Sequence, residues 1–237
     1  MDAKTLIRKA ANRARWEYHD AMLSIIENYE RFGDWRHGVD TAGEMPLEKL
    51  SIDSSSRLQG YPYGPMPMAI FNQIMKKLKI RYEDYVFIDL GSGKGRILLS
   101  ASRYPFREVI GVEFARELHE AAEKNLQIYR RRHKGQRWRV EHGDAAEFRF
   151  PDENIVLFLF NPFGEPVLRK VLDNIETYVR DFGKSIYVVY SNAVHGAMLD
   201  ASPNLLLREA FPMPRLFGLP APPQYCPFGT RIYSGRR

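Results

Sequence analysis

The stretch Tyr85-Val-Phe-Ile-Asp-Leu-Gly-Ser-Gly-Lys-Gly-Arg96 joins a short apolar run to a cluster of glycines. The apolar part is typical of a buried strand, and the residues after Arg96 have the apolar pattern of a helix. In an open α/β sheet, a glycine-rich turn between a strand and a helix lies at the carboxyl edge where ligands bind. The stretch therefore predicts both the fold class and the place of a ligand site.

Strand and helix patterns alternate after this turn. We expect seven strands, near residues 85–90, 108–112, 138–141, 155–160, 185–190, 205–210 and 228–233. Such alternation implies right-handed crossovers and a largely parallel sheet with helices on both faces. The predicted fold is thus α/β, with a doubly wound, mostly parallel, Rossmann-like sheet.

The N-terminal sixty residues have a different pattern. Apolar residues recur at helical spacing in the first thirty positions, at Tyr18, Met22, Ile25, Ile26 and Tyr29. Residues 32–65 lose this spacing, and a structureless stretch of that length is usually a functional cover or a linker. Its aromatic residues, which indicate packing on another surface, are Phe32, Trp35, Tyr61 and Tyr63. We interpret residues 32–65 as a lid whose Tyr61 and Tyr63 contact cofactor or substrate. The predicted division is an extension over 1–60 and a ligand-binding domain over 61–237.

Composition excludes several classes of protein. The longest apolar run, Ile155–Phe160, is too short to span a membrane. A single cysteine, Cys226, excludes an intrachain disulfide framework and a cysteine-based zinc site, and the six histidines show no metal-ligand spacing. The N-terminus lacks the apolar core of a secretory signal. We expect a soluble, cytoplasmic protein without a metal, and the oligomeric state is left open.

The glycine turn does not fit the common phosphate-binding motifs. A P-loop needs Ser or Thr after Gly-Lys, whereas Gly95 follows Lys94. The dinucleotide fingerprint would place its third glycine at Arg96, where a long side chain opposes close packing. NAD or FAD therefore remains only the second choice of ligand.

Acidic residues at the ends of the strands favour a different ligand. Asp89 places a negative charge beside the glycine turn, which suits a ligand with a sulfonium and an ammonium better than a pyrophosphate. Glu113 ends the next strand, where a carboxylate can accept hydrogen bonds from both ribose hydroxyls. Asp144 ends the third strand region, where it is placed to contact adenine.

Three segments resemble successive motifs of class I S-adenosylmethionine-dependent methyltransferases, namely Asp89–Arg96, Gly111-Val-Glu113 and Gly143-Asp144-Ala145. The sequence around Asp89, together with Tyr63-Gly-Pro-Met-Pro67, is most similar to that of seven-stranded protein-lysine methyltransferases, including the histone-modifying branch. His37-Gly-Val-Asp-Thr41 is similar to a segment of uncharacterised bacterial members.

The resemblance implies S-adenosyl-L-methionine as cofactor. It assigns the methionine and ribose moieties to the glycine turn, the ribose to Glu113 and the adenine to the segment around Asp144. The cofactor-binding residues expected on this basis are Asp89, Gly91, Ser92, Gly93, Gly95, Glu113, Asp144 and Ala145.

Asn161-Pro162-Phe163 follows the fourth strand and resembles the Asn-Pro-Pro-Tyr type of motif in amine-methylating relatives. There the asparagine side chain and the next carbonyl accept hydrogen bonds from the target nitrogen, and an aromatic ring packs over it. Here the third residue is Phe163 and the fourth is Gly164, and a turn that ends a buried strand explains the segment equally well. We predict Asn161, Pro162 and Phe163 as catalytic residues acting on a protein or small-molecule amine.

Two alternative functions remain. The imperfect motif also fits a module that binds the cofactor, or a partner, without transferring a methyl group. A basic run with interleaved Tyr129 and Trp138 favours an RNA methyltransferase as the other alternative, although such a run is more often a solvated surface. The basic residues of this run are Arg130, Arg131, Arg132, Lys134, Arg137 and Arg139.

Overall fold

The structure is a computed structural model that describes residues 3–131, 135, 137–212, 215–216, 219–220 and 228–236. Arg132, Lys134 and Cys226 lie outside the described residues. The strands are β1 Val86–Leu90, β2 Glu108–Glu113, β3 Trp138–His142, β4 Ile155–Phe160, β5 Ile186–Ser191, β6 Leu205–Phe211, β7 Arg215–Leu216, β8 Leu219–Pro220 and β9 Thr230–Gly235. The α-helices are α1 Ala3–His37, α2 Met68–Met75, α3 Arg96–Ala101, α4 Arg116–Arg130, α5 Glu165–Phe182 and α6 Gly196–Asp200.

A seven-stranded sheet forms the centre, in the order β3-β2-β1-β4-β5-β9-β6. The first five strands are parallel, and β9 runs antiparallel to both of its neighbours. The predicted mostly parallel, seven-stranded fold is therefore confirmed. The strand order reverses between β1 and β4, so a crevice opens at their carboxyl ends, which is where doubly wound sheets bind ligands.

The two faces of the sheet carry separate apolar clusters. Phe71 of α2 packs against Phe87 and Phe158 on one face. Residues of α5 such as Val171 pack against Leu157 on the other face. Side chains alternate along the strands, so β4 supplies both clusters and is buried on both sides.

Helix α1 is longer than its sequence pattern predicts. It continues through Gly33 to His37 and ends at Gly38, which adopts a left-handed φ of +72°. The lid therefore starts at Gly38. It contains two 3₁₀ turns, at Leu47–Lys49 and Ser55–Gln59.

The expected apolar face of α1 is only partly correct. Met22 and Ile26 are buried in the core, but Ile25 and Tyr29 are exposed. Phe32 and Trp35, expected to pack on another surface, are exposed as well. Two acidic residues, Glu30 and Asp34, are buried instead, and they continue the helix face that begins with Met22 and Ile26. Charged groups therefore help to determine which face of α1 packs on the core.

Arg96 is the first residue of α3, and its ion pairs and hydrogen bonds link α1 and the start of the lid to the glycine turn. Its guanidinium is buried, with Nη1 2.5 Å from Glu30 Oε2 and Nη2 3.5 Å from Asp34 Oδ2. Its Nε donates to Thr41 Oγ1 at 2.8 Å, and Asp34 accepts from the backbone N–H groups of Thr41 and Ala42. We call these four residues (Arg96, Glu30, Asp34 and Thr41) the Arg96 cluster. The proposed division between 1–60 and 61–237 stays a prediction.

Among the described helices, including the 35-residue α1, we find none whose length and hydropathy would allow it to traverse a bilayer.

Removing the Arg96 side chain should destabilise the protein strongly. In Arg96→Met, two buried carboxylates lose their cation, and we expect the free energy of unfolding to fall by about 3–5 kcal/mol in urea denaturation. The matched control is Arg107→Met, because the Arg107–Glu153 pair is largely exposed and should contribute about 0–1 kcal/mol. Equal losses in the two variants would contradict a special role for the Arg96 cluster.

Candidate active site

The carboxyl ends of β1, β2 and β4 form a crevice with two adjacent chambers. The first, which we call the loop chamber, encloses about 670 Å³ including space open to solvent. Its polar lining includes Asp89, Ser92 and Glu113. The second, the Asp144 chamber, encloses about 320 Å³ and is lined by Asp144 and Ala145. Gly91, Phe114 and Pro162 line both chambers, so the two are adjacent and share these walls.

The three glycines of the turn all adopt left-handed backbone conformations, with φ of +81°, +54° and +84°. A Cβ atom at Gly91 would lie 2.4 Å from Pro162 Cβ, and one at Gly93 would lie 2.2 Å from Tyr63 Cε2. The bare backbone therefore lets the lid and the segment after β4 close onto the turn. Gly95 lies behind the crevice, where a Cβ would contact Ala122 of α4.

Asp89 and Glu113 place two buried carboxyl groups in the loop chamber. Glu113 accepts hydrogen bonds from the N–H groups of Gly93 at 2.8 Å and Ala115 at 2.9 Å. Burial raises the pKa of Glu113 to about 7. Burial and, secondarily, the charge of Glu113 also raise the pKa of Asp89 well above its usual value. A ligand with cationic groups and hydroxyl donors would compensate these carboxylates, whereas a pyrophosphate would be repelled.

Asp144 fixes the lid at the other end of the crevice. Its carboxylate accepts hydrogen bonds from the Ser54 hydroxyl and from the Ala146 N–H at 2.9 Å. Burial opposes ionisation of Asp144, but hydrogen bonds from Ser54 and Ser56 hold its pKa below the usual value. Sequence reasoning missed both serines. The sequence signal that could have found them is Ser54, which stands at the N-cap of the second 3₁₀ turn. Its Oγ accepts a hydrogen bond from the Ser56 N–H.

Asn161 lies where the loop chamber meets a wider outer pocket, which we call the mouth. The mouth is lined by Glu27, Glu44, Tyr61, Asn161 and Asn192, among others. Asn161 has a φ of +43°, a left-handed conformation that is costly for non-glycine residues and is concentrated at functional sites. Its Oδ1 accepts a hydrogen bond from the hydroxyl of buried Tyr190 at 2.9 Å. The side chain of Asn161 is therefore held in one orientation.

The three predicted catalytic residues are not brought together at one place. Asn161 and Pro162 line the loop chamber, but Phe163 lines the Asp144 chamber and forms a β-bridge with Gly60 of the lid. The backbone of Phe163 pairs with the lid on the other side of Pro162, and its predicted catalytic role stays a prediction. The aromatic residues that line the mouth are Tyr61, which is 43% exposed, and Phe160.

Tyr63 lies closer to the turn than Tyr61. Its ring packs on Gly93, and its hydroxyl donates to the carbonyl of Thr41 at 2.7 Å. Sequence reasoning missed Tyr190, Glu27 and Glu44, since no local pattern connects these residues with the site.

The described part of the basic run is partly paired within the protein. Arg130 donates to the carbonyl of Trp138 at 2.9 Å. Arg139 forms ion pairs with Glu108 and Glu141. Arg130 and Arg139 therefore have partners within the protein, and their positions do not require a bound nucleic acid.

One family model matches the chain, over residues 53–156, and describes "Histone methylation protein DOT1". The match spans less than half of the chain. It includes Asp89, Glu113 and Asp144 and ends before Asn161. No curated protein sequence matches the chain.

Solved structures show the same fold at low sequence identity. A proposed RNA methyltransferase from Pyrococcus horikoshii is 19% identical, with a TM-score of 0.52 over 81% of this chain and 95% of that one. An S-adenosylmethionine-dependent methyltransferase from Aquifex aeolicus is 15% identical, with a TM-score of 0.50 over 77% of this chain and 94% of that one. The chain therefore has the fold of these S-adenosylmethionine-dependent methyltransferases, and its glycine turn and crevice lie within the part that the family model matches.

Proposed function

We propose that this chain is an S-adenosylmethionine-dependent methyltransferase that transfers the methyl group to a nitrogen of an amine-bearing acceptor, carried by a protein or a small molecule. The observation that supports this most directly is the position of Asn161. Its oriented side chain lies between the loop chamber, which has the chemistry for the cofactor, and the mouth, through which an acceptor can enter.

Residues of both chambers fit the cofactor. S-adenosylmethionine, when bound, supplies a methyl group on a positively charged sulfur. Asp89 and Glu113 would attract its cationic groups and accept hydrogen bonds from the ribose. Asp144 and Ala145 would hold the adenine, with Phe163 as an apolar wall of the same chamber. Gly91, Ser92 and Gly93 would contribute backbone beside the methionine and ribose, while Gly95 shapes the turn from behind.

Asn161 would orient the acceptor nitrogen. An amide oxygen has two lone pairs, so Oδ1 of Asn161 can accept from an amine while it accepts from Tyr190. Burial raises the pKa of Tyr190 to about 12, which keeps its hydroxyl protonated and donating at neutral pH. Methyl transfer is an in-line displacement, so correct positioning and exclusion of water supply much of the acceleration.

The charge of the mouth favours an amine over a nucleic acid. Glu27 of α1 and Glu44 of the lid are the charged residues that line it in the described part of the chain. Carboxylates at an entrance attract a cationic side chain or polyamine and repel a phosphate backbone. An acceptor on RNA and a non-catalytic binding module are the alternatives that the experiments below distinguish.

The assignment of Glu113 predicts a loss of cofactor affinity in Glu113→Ala. One lost charged hydrogen bond of about 1.5–3 kcal/mol corresponds to a roughly 10- to 150-fold weaker dissociation constant for S-adenosylmethionine by isothermal titration. Glu108→Ala, at the opposite end of β2, is the matched control and should bind normally. Unchanged affinity in Glu113→Ala would exclude Glu113 as a ribose ligand, and tight binding of NAD alone would overturn the cofactor assignment.

Cofactor affinity should also depend on pH. The pKa of Glu113 is raised to about 7, so the carboxylate that accepts from ribose is lost as the pH falls through 7. We expect affinity for S-adenosylmethionine to rise roughly tenfold between pH 6 and pH 8. The control is Glu113→Gln, which cannot ionise and should show a clearly smaller change. Identical pH profiles for the two proteins would show that another group is responsible.

Methyl transfer itself should depend on Asn161. With methyl-labelled cofactor and whole-cell extract, we expect Asn161→Ala to transfer on the order of 100-fold more slowly, with cofactor affinity unchanged. Asn192→Ala is the matched control, because Asn192 is also left-handed (φ +51°) and lines the mouth but not the loop chamber. Label sensitive to protease, or carried by small molecules, supports the proposal, and label lost after ribonuclease treatment would favour RNA. No transfer by the wild-type protein would favour a binding module.

A further inference from the structure

A second large pocket lies at the amino end of β5, and we call it the basic pocket. It is bounded by β5, β6 and β9 and encloses about 970 Å³ including space open to solvent. Its charged lining residues are Lys184, Arg208 and Arg236, and no carboxylate lines it in the described part of the chain. The mouth has the opposite charge, because it is lined by Glu27 and Glu44. The two pockets therefore suit ligands of opposite sign.

The register of the sheet places several lining residues of the basic pocket on one face. Tyr187 of β5 is paired with Ser234 of β9, and Ser234 is paired in turn with Leu206 of β6. Residues directly opposite each other share a face, as do residues two apart along one strand. Arg236 continues this pairing, since its N–H donates to the carbonyl of Asn204 at 2.8 Å. Its position thus falls on the same face as Ser234.

A β-bulge brings Arg208 to this face as well. The register between β6 and β9 shifts between Leu207 and Glu209, so Arg208 is the extra residue of β6. Bulges redirect a side chain and are frequent beside functional sites. Nε of Arg208 donates to Oγ of the buried Ser234 at 2.7 Å, which fixes the direction of the guanidinium. The hydroxyl hydrogen of Ser234 can still donate to a ligand.

The protein itself compensates these three cations only weakly. Arg208 and Arg236 form no ion pair with any residue that the structure describes. Nζ of Lys184 lies 3.6 Å from Oδ1 of Asp152, whose side chain is 63% exposed. Like charges that line one pocket repel each other, so a bound anion would stabilise the arrangement.

We propose that the basic pocket binds a compact ligand that carries a diphosphate group. The planar guanidinium groups of Arg208 and Arg236 match the oxygens of phosphate, and Lys184 adds a third positive charge. A single phosphate monoester carries about 1.5–2 negative charges at pH 7, so three cations are matched better by two linked phosphates. The Ser234 hydroxyl supplies a neutral donor at the same place.

The surroundings of the basic pocket favour a compact anion over a nucleic acid. Asp152 lies beside Lys184, and Glu209 follows Arg208 along β6. A phosphodiester backbone needs a continuous basic path, and these carboxylates interrupt such a path on two sides of the pocket.

The ligand binds apart from the proposed site of methyl transfer. Strand β5, Ile186–Ser191, begins at the basic pocket, and Asn192, which follows the strand, lines the mouth. A strand of six residues spans about 17–20 Å. The inference therefore does not rest on the proposed acceptor or on the cofactor.

The experiment is isothermal titration of the full chain with inorganic pyrophosphate. We expect one site with a dissociation constant below about 1 mM, and binding at least tenfold weaker in Arg208→Gln/Arg236→Gln. The matched control is Arg8→Gln/Arg13→Gln, which removes two charges from exposed positions of α1 and should bind like the wild type. A cooperative urea transition in all three proteins shows that they are folded.

A variant that should bind more tightly provides an independent test. Asp152→Asn releases Lys184 from its ion pair, so we expect pyrophosphate affinity to rise about threefold or more. Asp20→Asn, which removes the same charge from an exposed position of α1, should bind like the wild type.

Three results would overturn the proposal. The first is a wild type that does not bind pyrophosphate. The second is the same affinity in the wild type and in both Arg208→Gln/Arg236→Gln and Asp152→Asn. The third is a single-stranded RNA oligonucleotide that displaces pyrophosphate and binds more tightly, because a nucleic acid would then be the ligand of this pocket.

Discussion

The buried guanidinium of Arg96 is the constraint on which the site depends. A buried cation is tolerated only if carboxylates and hydrogen-bond acceptors surround it. Glu30, Asp34 and Thr41 meet this need, and all three come from α1 and the start of the lid. The first residue of α3 thus holds the N-terminal segment against the turn that precedes it. This attachment fixes the start of the lid above the carboxyl edge of the sheet.

The glycine turn lets neighbouring segments pack closely against it, and it also shapes the ligand site. Absent side chains at Gly91 and Gly93 let Pro162 and Tyr63 approach the backbone from two sides. The crevice is consequently bounded by three segments that are distant in sequence, the lid, the turn and the residues after β4. The lid also forms a hydrogen bond to Asp144, so it is fixed at both ends of the crevice.

The pKa values of the carboxyl groups are shifted in opposite directions at the two ends of the crevice. In the loop chamber, burial raises the pKa values of Asp89 and Glu113. A ligand with cationic groups and hydroxyl donors would stabilise the charged forms of both carboxyl groups. At the other end, hydrogen bonds keep Asp144 ionised as an anchor for the lid. The mouth adds carboxylates from α1 and the lid, so the proposed specificity for an amine comes from the N-terminal segment rather than from the sheet.

The sequence by itself determined the sheet and the carboxylates at its edge. Strand and helix periods are local signals, and the ends of parallel strands meet at one edge, so Asp89, Glu113 and Asp144 were placed correctly in the crevice. Only the tertiary structure decided which partners those residues have. Ser54 on Asp144, Tyr190 on Asn161 and Glu30 on Arg96 are contacts across 29 to 90 positions, and the bridge between Phe163 and Gly60 joins segments about a hundred residues apart. Local patterns carry no information about such pairings, because long-range packing and the compensation of buried charge select them.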